Sequence, residues 1–402
     1  MAEIRRLSAD ECTTAKKIGT VVFHGRHDYT QEERPDAIEQ PHHWRWGAFE
    51  GGRMVSTMTD IPLLMRFDGN DVKMNGISFV GTLPEFRKGG NVRRMLEMAF
   101  VEAYADGVVF SCLIPFSHAF YRKFGYELCV TRKRTRIPVS NFEKLKYSGS
   151  FEQIFSDGDT AGLRRVFMDY ISDKNHACGR DYWPDNIAWR VFTNVDPFKT
   201  GCYIYLWRDD AGNPRCYLKY QHKFIAEKSV NEVNVQEFAF TDREALYAGL
   251  AFIGSLSAQI QEMVWDMPSF IDPSDFADVA WDAEQEIIPR EMTRIVNVKA
   301  AFEKMRMPRG EGSFVVETED PILPENGGRL LVEFGAGGRR VSATGMDADI
   351  VCDLPALAQL VTGYRTYDDI RITSRLRVET RGNEDTLRRV FTPRPQHFTE
   401  RV

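Results

Sequence analysis

Residues 87–94 read Arg-Lys-Gly-Gly-Asn-Val-Arg-Arg, which sets Arg87, Lys88, Arg93 and Arg94 around two adjacent glycines. An apolar run ending near Thr82 leads into this stretch, and a segment of helical period, opened by Asn91 and Val92, follows it. The first turn of a helix leaves N–H groups without partners and carries the positive end of the helix dipole. Gly89 and Gly90 let a ligand approach the backbone without interference from a Cβ. Free N–H groups, a dipole end and four cations together suit a pyrophosphate. The residues do not select which phosphate ligand. Neither Gly-x-x-x-x-Gly-Lys-Ser/Thr nor Gly-x-Gly-x-x-Gly occurs here, and a surface turn with a solvated basic rim has the same composition.

A second informative block lies at residues 115–126, PFSHAFYRKFGY, directly after the apolar run VVFSCLI. A third, FHGRHD, holds His24, His27 and Asp28, with His42, His43, Trp44 and Trp46 not far beyond. No further ligand is spaced to complete a metal site with His24, His27 and Asp28, so no metal is expected.

The elements that must hold these residues follow from periodicity. Residues 49–58 read as a hairpin turned at Gly51-Gly52, and 61–67 and 72–80 flank turn chemistry at 68–71. Val92, Met95, Leu96, Ala99, Phe100, Ala103 and Tyr104 recur at helical spacing, with Gly107 placed to end the helix. Residues 108–114 then form a buried strand. A middle segment again mixes strands, at 202–208, 216–223 and 231–240, with a long helix at 243–261. A last segment opens with a helix at 298–305, continues with strands at 312–318 and 329–334, and adds a helix at 354–362. Pro393 and Pro395 break regular structure, so the chain end is expected to run extended.

Two features carry a family resemblance. Arg87-Lys88-Gly89-Gly90-Asn91-Val92 matches the Q/R-x-x-G-x-G/A loop of the GNAT acetyltransferase superfamily at its first and fourth positions, with Val92 where Gly or Ala is usual. Phe120-Tyr121-Arg122-Lys123-Phe124-Gly125-Tyr126 matches the superfamily's aromatic-Tyr pair, three residues and Gly-aromatic. They occur in order with the proper strand between them. Within the superfamily the chain resembles the Eis-type (enhanced intracellular survival) branch, also through residues 292–298, Met-Thr-Arg-Ile-Val-Asn-Val, and the helix at 354–360.

The resemblance implies an α/β (α+β) fold of two tandem GNAT-like domains, the second degenerate, and a C-terminal sterol-carrier-like domain. The boundaries expected are 1–139, 140–289 and 290–402. The second domain carries Thr241-Asp242-Arg243-Glu244 where a phosphate loop would sit, with no glycine and two acids that repel phosphate. The resemblance further implies an acetyl-CoA cosubstrate on Val80, Thr82, Arg87, Lys88, Gly89, Gly90, Asn91, Val92 and Arg93. Tyr121 corresponds to the general acid, and its ordinary pKa of about 10 keeps a proton for a departing thiolate at neutral pH. The base corresponds to the carboxylate of Val402, a poor base at an ordinary pKa of about 3.3–3.7 unless desolvated. His24, Asp28, Trp44 and His118 are expected to line the acceptor pocket. A primary amine on a bulky cationic small molecule or peptide, and a homo-oligomer of up to six chains, complete the expectation. Protein N-acetylation and a non-catalytic acyl-CoA- or lipid-binding role are the alternatives.

Composition bounds the function. The 402 residues carry a net charge of −6, with 43% hydrophobic and 27% charged residues. That balance suits a core-forming protein and argues against a nucleic-acid partner. The seven cysteines include no CxxC pair, and Cys112 and Cys129, in apolar runs, read as small buried hydrophobes in a reducing compartment. No apolar run reaches the roughly 18 residues of a membrane span. The charged start MAEIRRLSADE has no secretory h-region. The expected location is the cytoplasm, with no membrane partner.

Overall fold

A computed structural model describes residues 2–24, 45–155, 158, 160–182, 187–227, 229–373 and 376–400. The chain forms two units. One is Met1–Val130 with Arg290–Arg394 and Phe398–Val402, and the other is Thr131–Pro289 with Pro395–His397.

The first unit begins with β1 (Glu3–Arg6), α1 (Cys12–Val22), β2 (Arg45–Glu50), β3 (Arg53–Phe67) and β4 (Asn70–Thr82). Two short turns, at Gly51-Gly52 and at Asp68-Gly69, make β2, β3 and β4 consecutive antiparallel neighbours, and β1 pairs with β2. The chain then crosses over through α2 (Asn91–Ala105) to β5 (Phe110–Leu113), which runs parallel to β4 in the register Met74↔Phe110 to Ile77↔Leu113. A right-handed helical crossover is how two parallel neighbours are joined. α2 buries Met95, Leu96, Ala99, Phe100 and Ala103 against Trp46, Val55, Met58, Ile77 and Leu113. The spacing of those five residues is what makes this segment an amphipathic helix. α3 (His118–Arg122) follows β5 at once, capped by Ser117, whose Oγ accepts from the Phe120 N–H. The far side of β5 is taken by Met292–Ile295, the end of the strand Glu284–Ile295, in antiparallel register.

The rest of this unit is a separate five-stranded sheet. Its order is Gly338–Ala343, Gly328–Gly335, Gly312–Thr318, Ile350–Cys352 and Val378–Thr380. The helices Val298–Lys304, Leu354–Val361 and Glu384–Val390 accompany it.

The second unit repeats the plan of the first. Ser150–Gln153, Cys202–Arg208, Pro214–Ile225 and Val230–Phe240 pair antiparallel in turn, and Val230–Phe240 leads through the helix Arg243–Gly254 to a parallel strand, Glu262–Pro268. That helix is shorter than its hydrophobic pattern predicts. It ends at Gly254 because the Ser255 hydroxyl donates to the Phe252 carbonyl and the chain tightens into turns. Residues 132–138 of the strand Glu127–Pro138 close this sheet against Glu262–Pro268. The extended segment Pro395–His397 docks on the same unit, where the Asn175 N–H donates to the Pro395 carbonyl and the His397 N–H to the Asn175 carbonyl. Among the described residues no helix is long and apolar enough to cross a membrane.

Candidate active site

β4 is where the first unit departs from regular geometry. Its pairing with β5 stops at Ile77↔Leu113, although β4 runs on to Thr82. On the other edge the register with β3 shifts between Thr57↔Gly81 and Thr59↔Ser78. Phe79 and Val80 together therefore oppose Met58, which is a β-bulge. Phe79 sits at φ +51°, a left-handed conformation that is an outlier for a bulky residue. Packing holds it there. Its ring fills a notch at Gly19 of α1, where an added Cβ would come within 1.8 Å of the ring, and it lies 5.6 Å from the Phe23 ring. The bulge re-aims the backbone around Val80, and the divergence from β5 leaves that edge of β4 open.

The loop after β4 ends in a second special conformation. Gly90, at φ +78°, is the residue before the first turn of α2, and among the described residues no side chain caps that turn. A Cβ at Gly90 would point into open space, so the glycine serves its left-handed conformation and leaves room for a ligand. Lys88 also has positive φ, at +69°. The N–H groups of Asn91, Val92 and Arg93 are the unpaired donors expected of a helix start.

A cavity of about 700 Å³ joins these two features. Its wall includes Val80 and Thr82 from β4, the loop residues Arg87, Lys88, Gly89 and Gly90, and Asn91, Val92 and Arg93 of α2. All nine residues singled out for the coenzyme thus meet around one space. Thr82 is held by a hydrogen bond between its hydroxyl and that of Ser56, at 2.9 Å. Arg93 is exposed, stacks 5.2 Å from the Phe124 ring centre and pairs with Glu97 at 3.4 Å. The sequence reading did not assign the apolar part of the wall, Val22, Phe23, Phe86, Phe116, Phe120, Phe124 and the stem of Lys123. Phe23 and Phe116 are more than half exposed, a state for large aromatics that pattern analysis does not flag.

Tyr121 lies behind this aromatic wall. It is buried, with its ring edge-on to Phe116, Phe120 and Tyr126 at 5.5, 5.1 and 6.0 Å. Its hydroxyl has no hydrogen-bond partner among the described residues, whereas that of Tyr126 is engaged with the Ser111 hydroxyl at 2.7 Å. Burial pushes the Tyr121 pKa upward, so the phenol keeps its proton throughout the physiological range. His118 is half-buried at the start of α3. Burial and the nearby Arg122 lower its pKa, and its Nε2 is enclosed without a partner among the described residues. His24 is exposed just beyond α1. Asp28, Trp44 and Val402 lie outside the described residues.

The corresponding position in the second unit is built differently. Asp242 caps the helix Arg243–Gly254 by accepting from the Ala245 N–H at 3.0 Å, and Arg215 binds both Asp242 and Glu244. The helix start is satisfied from within and ringed by acids.

Comparison with known proteins agrees with this duplication. GNAT acetyltransferase domain models match residues 3–129 and 181–295, and a sterol carrier protein domain model matches residues 298–399. No curated protein matches the sequence significantly. Among solved structures, a GCN5-related N-acetyltransferase from Anabaena variabilis is similar with a TM-score of 0.86 at 18% identity, over 98% of each chain. A probable N-acyltransferase from Enterococcus faecalis gives 0.83 at 19% identity, over 98% of each chain. Eis1 from Mycobacterium abscessus gives 0.80 at 18% identity over the full length of both chains. At such identities these structures speak for the fold, while the domain models speak for the acyltransferase chemistry. The chain belongs to the GNAT superfamily of acyltransferases, with the Eis-type succession of two GNAT domains and a sterol-carrier-like domain.

Proposed function

We propose that the chain transfers the acetyl group of acetyl-CoA to a primary amine of a bulky cationic acceptor, an aminoglycoside-like small molecule or a lysine side chain. An acyl-CoA cosubstrate follows from the GNAT domain itself. The acetyl group, the acceptor and the residue roles belong to this reading. The observation that supports it best is that a single cavity touches both the β4 bulge at Val80 and the uncapped start of α2.

In this reading the diphosphate rests on the N–H groups of Gly89 to Val92, with Arg87, Lys88 and Arg93 neutralising its charge. The pantetheine amides extend along the open edge of β4 toward Val80. The amine attacks the thioester carbonyl carbon, and a backbone N–H at the bulge receives the developing oxyanion. The C–N bond forms, the C–S bond breaks, and the thiolate takes the Tyr121 proton. The proton of the attacking amine passes to the carboxylate of Val402, a role that rests on the family resemblance. By the family resemblance, His24, Asp28, Trp44 and His118 are the candidates for recognising the acceptor, and the net charge of −6 favours a cationic acceptor. The enzyme works in the cytoplasm as a homo-oligomer, a hexamer by resemblance.

A panel of amines offered with acetyl-CoA, followed by thiol release, tests the reading. Release that depends on the amine is expected for polycationic acceptors. Release no faster than without any amine, across the whole panel, overturns it.

A further inference from the structure

The segment 292–298 carries part of the family resemblance but has no part in the chemistry above. Its third residue, Arg294, is only 1% exposed, an unusual state for a charge. The side chain runs from its strand to the turn that follows Tyr121. One terminal nitrogen donates to the Phe124 carbonyl at 2.6 Å, and the other donates to Oδ2 of Asp320 at 2.5 Å. The guanidinium lies 4.5 Å from the centre of the Phe100 ring on α2. Asp320 also accepts from the Asn326 side chain at 2.9 Å and from the Ile322 and Leu323 N–H groups at 3.0 and 3.1 Å. The buried charge pair is thus supported on the acid's side by three further donors, the condition under which such a pair is tolerated.

The turn that Arg294 grips is short and continuous with the tyrosine. The Phe124 N–H donates to the Tyr121 carbonyl at 2.9 Å, and the Gly125 N–H donates to the Arg122 carbonyl at 3.1 Å. Gly125 has φ +81°, and a Cβ there would lie 2.3 Å from the Arg294 nitrogen that bonds Phe124. The glycine of the Phe-Tyr-x-x-x-Gly motif is therefore required both by its backbone conformation and by the arginine beside it. A cation at the carbonyl end of a helical turn is also favourably placed.

We propose that Arg294, fixed by Asp320, is the positioning residue for Tyr121. The guanidinium sets the carbonyl end of α3, and α3 sets the height and tilt of the phenol against Phe116 and Phe120. Asp320 lies in the region matched by the sterol-carrier model, so that domain contributes to catalysis by holding the acid in place. The inference rests on the reading of Tyr121 as the general acid.

The test is a double-mutant cycle on the full chain. Arg294→Lys and Asp320→Asn are each made alone and with Tyr121→Phe, and kcat and the KM for acetyl-CoA are measured beside a thermal melt. Each single change is expected to lower kcat about 10- to 100-fold, as displacement of a catalytic group does. KM should change less than about twofold, because neither Arg294 nor Asp320 lines the coenzyme cavity. In the Tyr121→Phe background neither change should cost more than about twofold, since the group it positions is gone. Should a single variant fail to fold, Arg294→Met with Asp320→Leu removes both charges together and enters the same cycle. An acetyl thioester of an aryl thiol, which leaves without a proton, should restore Tyr121→Phe and Arg294→Lys to the same degree. Losses that multiply in the Tyr121→Phe background, or that the aryl thioester restores for Tyr121→Phe alone, overturn the inference. Full activity in Tyr121→Phe itself refutes the acid reading first, and this inference with it.

Discussion

Tyr121 is buried among aromatic rings and its hydroxyl has no hydrogen-bond partner among the described residues, and both facts bear on its role. Replacing it with Phe keeps the ring and the packing but removes the proton. Turnover should then fall by roughly 10²-fold or more, the scale of a lost general acid, with coenzyme affinity nearly unchanged by calorimetry. Its pH dependence has a definite sign. Burial raises the folded pKa above the unfolded value of about 10, so the protonated form persists as pH rises through the usual tyrosine range. The kcat profile should show no falling limb below about pH 10, and a limb near pH 8 that vanishes in Tyr121→Phe would contradict the assignment. Gly90→Glu places bulk and negative charge where the glycine Cβ would face open space, and coenzyme binding should be lost. Gly89 and Gly90 stood out in the sequence through residue type and local spacing, whereas Tyr121 was singled out only through the family resemblance of residues 120–126. Phe79 was not, since a left-handed conformation in a bulky residue is imposed by the Gly19 notch and leaves no mark in composition. Arg294 was equally hidden, because its partner at Phe124 is 170 residues away in the chain.

At the scale of elements, the two GNAT repeats share a plan and differ at one helix start. α2 begins with an uncapped left-handed glycine, while Arg243–Gly254 begins with Asp242 in a filled cap. The first is the proposed site for the coenzyme's diphosphate, and the second already holds its own acid. Calorimetry should therefore give one coenzyme per chain, and two would overturn this contrast. Asp242→Ala should destabilise the second unit by about 1 kcal/mol, the usual worth of a cap, with no change in coenzyme affinity. Burial opposes the Asp242 charge, but the Ala245 N–H and Arg215 outweigh it and hold the pKa below the usual carboxylate range. The cap's contribution is accordingly present above the unfolded value of about 3.9 and is lost as pH falls from there through the lower folded value. The strand and helix order of both repeats was legible from hydrophobic period. The bulge and the splay of β4 from β5 were not, because Val72–Val80 reads as one uninterrupted strand and register is a property of the pair.

Across the whole molecule, the last segment supplies parts to the first. Met292–Ile295 completes the sheet beside β5, and Asp320 and Leu354 lie next to the motif that holds Tyr121. Removing residues beyond 297 should therefore damage turnover as well as stability. Residues added after Val402 would convert its carboxylate to an amide, and the proposed base role predicts a strong loss of activity with coenzyme binding retained. Light scattering should give a multiple of the 46.1 kDa chain mass, and the single-chain mass at micromolar concentration would contradict the proposed oligomer. Acetyl transfer from a coenzyme held at the β4 bulge and the start of α2 is measurable as thiol release from acetyl-CoA with a polycationic amine, comparing the native chain with Gly90→Glu. Amine-dependent release by the native chain and none above background by the variant is expected, and equal release by the two would refute a coenzyme site there.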